Sequence, residues 1–160
     1  MSQAHPTGRL RAESLQDEEF LRSVWPDLVG LGRLLTGSRQ RGEDLAQEAI
    51  LGMLRKAPVD QPRAYLRRSI INLSINDGRR ETRERRHLHT VREQVVPAPE
   101  VDDLWPLVVA LPARQRAVLV LRYYEDLSEA EIARVLDCRP GTVKSLAARA
   151  LAALRQELES

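Results

Sequence analysis

Thr142, Lys144, Ser145, Ala148 and Arg149 fall on one side of a helical pattern, opposite a stripe of Val143, Ala147, Ala150, Leu151, Leu154 and Leu158. Small and cationic side chains on an outward helix face are what a major groove admits: they reach phosphates and base edges without filling the groove. Immediately upstream, Ser128-Glu129-Ala130-Glu131 has the spacing of a capping box, and Ile132, Val135 and Leu136 follow as a short apolar stripe. Pro140 suits a first helical turn, where its missing N–H costs nothing. A short capped helix, a tight turn and a longer basic helix read as a helix-turn-helix; an ordinary helical hairpin with a solvated outer face has the same spacing.

Nothing in the sequence accompanies this pattern with covalent or metal chemistry. His87 and His89 stand two apart beside an arginine cluster, His5 lies in a polar N-terminal stretch, and Cys138 has no second cysteine. A glycine-rich phosphate loop is missing too. The expectation is therefore a binding protein with no catalytic residue, no metal and no cofactor.

Three further groups have residue types suited to recognition. Asp44, Gln47, Glu48, Leu51 and Arg55 share one helical face, a charged stripe holding a single apolar residue, as a protein-binding site or a solvated face would. Arg67, Arg68, Arg79, Arg80 and Arg83 lie along one later helix, where charge and fork geometry suit phosphates. Between these two helices, Ala57–Pro62 is a short loop with two prolines that presents Asp60 and Gln61. A stiff loop with polar groups can read an unstacked base, and a plain surface turn has the same composition.

The elements that must position these groups follow from the remaining pattern. The chain has 160 residues, 42% hydrophobic and only 4% aromatic, and its apolar set is mostly Leu, Val, Ala and Ile, a mix that favours helices. No apolar run approaches the ~20 residues of a membrane span, and no secretory leader pattern opens the chain. The single cysteine agrees with a reducing cytoplasm. Net charge is only +2, yet it is unevenly spread: residues 63–92 hold nine Arg against three acids, and residues 93–131 hold eight acids against three Arg. A basic block followed by an acidic one implies a DNA-facing segment, then one that avoids DNA or meets a basic partner. Helices are expected over 17–36 (with Pro26 kinking or dividing the first), 42–55 and 63–86, and a second helical unit from about 101 to 158. The prolines of Val95-Val96-Pro97-Ala98-Pro99-Glu100 mark a linker. The expected fold is all-α: a disordered lead-in (1–16), a first helical domain (17–90), a flexible linker (91–101) and a second domain (102–160) ending in the helix-turn-helix.

Taken together, LLTGS (34–38), GEDLAQEAIL (42–51), PRAYLRRSIINLSINDGRR (62–80) and LPARQRAVLVLRYYEDLSEAEIARVLDCRPGTVKS (111–145) resemble the extracytoplasmic-function sigma factors of bacterial RNA polymerase. The wording is most similar to the actinobacterial SigE-type branch. The resemblance covers nearly all of 17–158 and implies a subunit that brings core RNA polymerase to promoter DNA and helps open it. It implies that a sigma-two domain meets the polymerase clamp through Asp44, Gln47, Glu48, Leu51 and Arg55. The same domain would meet the minus-ten element through Asp60, Gln61, Tyr65, Arg68, Asn72, Arg79, Arg80 and Arg83. A sigma-four domain would meet the minus-thirty-five element through Arg139, Thr142, Lys144, Ser145, Ala148 and Arg149. An anti-sigma factor is a further partner that the resemblance allows.

Several positions depart from the family pattern. Leu146 stands where an Arg is frequent, so either a DNA contact is missing or Leu146 packs inward. Arg139 replaces a small hydroxyl residue at the helix cap, which weakens the cap by about 1 kcal/mol and offers a phosphate contact in exchange. Tyr65 and Leu54 stand near family tryptophans, and Tyr65 retains a ring that can stack on a base. Asn72 matches a family Asn that is either a buried amide or a contact to the non-template strand. The competing reading is a stand-alone helix-turn-helix regulator, which needs no Asp44 stripe and usually a dimer interface.

Overall fold

A computed structural model of the chain describes residues 7–87 and 104–160, with side chains for 17–80 and 104–160. Among the described residues every regular element is helical. The first helix, α1, spans Thr7–Thr36. It begins inside the stretch expected as a disordered lead-in, because residues 9–16 are mostly strong helix formers and the apolar face that follows anchors them. Pro26 neither divides nor ends it. Val24, Leu28, Leu31 and Leu35 are buried along the inner face, while Pro26 sits on the exposed side, where the carbonyl it cannot serve is within reach of water. Gly37, with φ 78°, stops the helix and donates its N–H to the Arg33 carbonyl at 2.7 Å.

Helix α2 covers Arg39–Lys56, three residues earlier than the sequence reading places it. Ser38 is its N-cap: the side chain accepts from the Arg41 N–H at 3.3 Å. Helices α1 and α2 touch backbone to backbone. A Cβ added at Gly32 would lie 2.7 Å from the Gly42 Cα. Gly32→Ala is therefore expected to destabilise the fold despite the better helix propensity of Ala. The overpacking cost of about 1–3 kcal/mol falls on backbone that cannot swing aside, against a gain of at most about 1 kcal/mol. Urea unfolding reads this directly as a lower midpoint at unchanged slope.

Helix α3, Pro62–His87, lies across this pair. Leu66, Ile70, Ile71 and Ile75 are its buried face, and the Ser74 hydroxyl among them donates to the Ile71 carbonyl at 2.7 Å. The expected linker at 91–101 lies outside the described residues.

The second half contains α4 (Leu104–Ala110), α5 (Ala113–Leu119), a π-helical turn (Val120–Tyr124), α6 (Glu129–Leu136) and α7 (Pro140–Glu159). Ile132, Ala133 and Leu136 of α6 pack on Val143 and Ala147 of α7, and Ala150 and Leu154 close a smaller cluster with Leu111 and Leu119. Leu151 and Leu158, expected in the buried stripe of α7, are exposed. The twenty-residue α7 outruns the seven-residue α4 beneath it, which leaves Leu158 uncovered, whereas Leu151, ahead of buried Leu154, lies at the edge of the buried stripe. The main buried cluster does not end at the domain boundary. It continues from Leu66 and Ile70 to Val118, Leu121 and Ile132.

Candidate nucleic-acid and protein interfaces

The helix-turn-helix rests on its cap. The Ser128 N–H donates to the Glu131 carboxylate at 2.7 Å, and the Glu131 N–H donates to the Ser128 hydroxyl oxygen at 3.2 Å, completing the box. Asp137 ends α6 in the left-handed region with φ 50°, a conformation Asp tolerates, and three residues later α7 starts at Pro140. Arg139 holds the N-cap position with no side-chain cap bond, so its guanidinium is left to solvent and to any anion there.

The hydrogen bond from the Ser128 N–H, then the one with its hydroxyl, holds the Glu131 carboxyl below the usual carboxylate range; slight desolvation opposes this and Arg134 adds to it. A carboxylate whose folded value is depressed contributes stability above its ordinary titration range. That contribution is lost as pH falls through the lowered folded value. The Ser128 amide resonance should therefore titrate below the ordinary Glu range. The difference in thermal midpoint between the chain and its Glu131→Gln variant should narrow on acidification.

On α7 the outward set is complete. Arg139, Thr142, Lys144, Ser145, Ala148 and Arg149 are all exposed, on the side away from buried Val143, Ala147 and Ala150. Leu146 packs against the core, so the family departure at this position replaces a surface group with an inward one. Lys144 Nζ lies 3.8 Å from Glu129, and at 70% side-chain exposure this pair is too loosely held to keep the lysine from a phosphate.

On the first domain, Asp44, Gln47, Glu48, Leu51 and Arg55 form one exposed face of α2, opposite buried Leu45, Ala46, Ala49 and Met53. Leu54 joins it, with Leu51 51% and Leu54 50% exposed, so the patch has two adjacent leucines rather than a single anchor. An i, i+3 leucine pair on an otherwise polar face was the signal for it.

The arginine-bearing side is less uniform. Asp60, Gln61, Arg68, Asn72, Arg79 and Arg80 are exposed, which removes the buried-amide reading of Asn72. Tyr65 is half-buried against the core, with Lys56 Nζ 5.4 Å from its ring centroid, so one face of the ring is already occupied. Arg83 lies on α3, but its side chain is outside the described residues, as are those of His5, His87 and His89. Arg67 does not stand free for phosphate: its Nε is 3.0 Å from Glu125 of the second half. Tyr123 and Tyr124 are exposed, with the Arg122 guanidinium 5.8 Å from the Tyr123 ring, and adjacent aromatics in so aromatic-poor a chain were the signal for them.

Two sigma-factor families match the chain in this order: sigma-70 region 2 over residues 20–84 and sigma-70 region 4 over residues 103–154. The RNA polymerase sigma-E factor of Streptomyces avermitilis is 36% identical over 92% of this chain and 88% of its own length. That of Streptomyces coelicolor is 34% identical over 91% and 88%. The SigE factor of Mycolicibacterium smegmatis is 30% identical over 96% of this chain and 68% of its own. Among solved structures, the sigma factor RpoE of Bartonella quintana, in complex with the anti-sigma factor NepR, superimposes with a TM-score of 0.65. It shares 21% identity over 90% of this chain and 97% of that one, a likeness of fold. With both regions matched and full-length relatives above 30% identity, the chain belongs to the RNA polymerase sigma factors, in the SigE-type extracytoplasmic-function group.

Proposed function

We propose that this chain binds core RNA polymerase and directs it to promoters, with the α2 face meeting polymerase, α3 and the 57–61 loop meeting the minus-ten element, and α7 meeting the minus-thirty-five element. The observation that carries this reading is the pairing of a region 2 match with a region 4 match in one chain, each bearing an exposed, polar outer face. A free-standing operator binder would need only the second. The chain acts as a binding factor rather than an enzyme. Its place is the cytoplasm, where polymerase and promoters are; among the described residues no helix is long and apolar enough to cross a membrane. An anti-sigma factor is a further partner of this reading, as in the complex from Bartonella quintana.

Reconstitution tests it: purified chain, core polymerase and the promoter of its own operon should yield transcripts that core polymerase alone does not make. Equal transcription with and without the chain would overturn the assignment.

A further inference from the structure

A carboxylate stands among the cations beside the recognition helix. Glu129 opens α6 directly after the Ser128 cap, and its two oxygens face different cations. Its Oε1 lies 3.8 Å from the guanidinium of Arg122, on the π-helical turn, and its Oε2 lies 3.8 Å from Lys144 Nζ, on α7. Two elements thus converge on one acid carried by a third. Arg122 also lies over the Tyr123 ring, 5.8 Å from its centroid. Among the described residues no acid pairs in this way with Arg139 or Arg149, the other cations of the α7 set.

The amino end of α6 attracts an anion for two reasons. Its orphan N–H groups and its dipole are positive there, and two cationic side chains flank it. In a helix-turn-helix the first helix crosses the DNA backbone while the second enters the groove. The anion suited to this place is therefore a backbone phosphate, and in the free chain Glu129 supplies the negative charge instead. Neither pair is tight. At 3.8 Å, with the Lys144 side chain 70% exposed and that of Arg122 40%, both cations stay within reach of DNA. A phosphate that takes Lys144 displaces one carboxylate oxygen and then remains beside it, which sets like charges together in the complex. Glu129 offsets the cations without blocking them.

We propose that Glu129 is an internal competitor of phosphate that holds the DNA affinity of the second domain low. The repulsion applies to any backbone, promoter or not. Non-promoter sites outnumber promoters by orders of magnitude and compete for α7, so a lower phosphate affinity releases the chain from them. The inference rests on the reading that α7 meets promoter DNA, and it adds the residue that keeps this contact weak.

Glu129→Gln in the full chain removes the charge and keeps the side chain's length. Fluorescence anisotropy measures its binding to a duplex of its own promoter and to a shuffled duplex, at low and at physiological salt. The variant should bind both duplexes on the order of fivefold more tightly at low salt, the scale of two exposed ion pairs, and the gain should shrink as salt rises. A loosened fold does not mimic this: losing an acid at the amino end of α6 weakens the helix and lowers affinity. At low salt the same gain should appear in an Arg149→Ala background and vanish when Arg122→Ala and Lys144→Ala are both present. In reconstituted transcription, non-promoter competitor DNA should inhibit the variant at a lower dose than wild type. Unchanged or weaker duplex binding, a gain that survives loss of both Arg122 and Lys144, or equal sensitivity to competitor would overturn the proposal. If wild-type duplex binding ignores Lys144→Ala combined with Arg149→Ala, the α7 reading fails and the proposal fails with it. A normal loss there, with no gain from Glu129→Gln, sinks the proposal alone.

Discussion

Asp44→Arg combined with Leu51→Ala should abolish co-purification with core polymerase while leaving the helical content unchanged. Both side chains are on the exposed face of α2, opposite the buried Leu45, Ala46, Ala49 and Met53, so neither change disturbs the packing that holds the helix. Charge reversal at Asp44 replaces a carboxylate that the proposed interface offers its partner with a cation, and truncation at Leu51 removes an apolar anchor. Each should cost on the order of 1–3 kcal/mol. The two positions are two helical turns apart, about 10 Å, far enough for the losses to add approximately. Together they reach at least about 2 kcal/mol, a loss of roughly thirtyfold or more in affinity. Leu54→Ala, on the neighbouring exposed leucine, should weaken binding further. Unchanged retention of polymerase by the double variant, with helicity intact, would move the polymerase contact off α2 altogether.

What could be read from the sequence is what depends on local pattern. The capping box at Ser128 and Glu131 needs four residues in a row to be recognised, and it forms with both of its bonds. Gly37 ends α1 for the same local reason, a left-handed residue that glycine supplies. The α2 stripe follows from helical spacing, and so does the outward set on α7, because each helix buries one continuous face. Where the reading missed, the deciding partner was distant in sequence or absent. Leu158 has the right spacing for the α7 stripe but no element beneath it. Arg67 looks like its neighbour Arg68 in sequence, and only the fold brings Glu125 to 3.0 Å from one and not the other. Leu146 was undecidable from spacing alone, since at the margin of the apolar stripe either orientation is available; packing against the core decides it. The join between the domains is the extreme case. Two glycines and an arginine that make it, Gly37, Gly78 and Arg116, are unremarkable in their own segments, and their meaning comes from surfaces contributed by the other half.

Lys144→Ala with Arg149→Ala should reduce promoter-specific transcription strongly while leaving polymerase binding largely intact. Both side chains are exposed on the outward face of α7, and neither is part of the buried stripe, so the helix-turn-helix itself survives their removal. Each can neutralise a phosphate or reach a base edge. The outward face of α7 offers few such contacts, each contributing only ~0.9 to the slope of log affinity against log salt. The isolated chain should therefore bind promoter duplex weakly at physiological salt, since one helix-turn-helix covers half the footprint that a dimeric repressor covers. Polymerase changes this without adding a contact at α7. Once the first domain is anchored, the second searches the DNA at an effective concentration set by the tether, and weak contacts suffice. Losing two of a few contacts is then decisive for promoter choice but invisible to polymerase. The comparison that separates this from a free-standing regulator is the wild-type chain alone on its promoter duplex. Tight, polymerase-independent binding there, with transcription indifferent to the complex, would give the helix-turn-helix an operator-binding role instead.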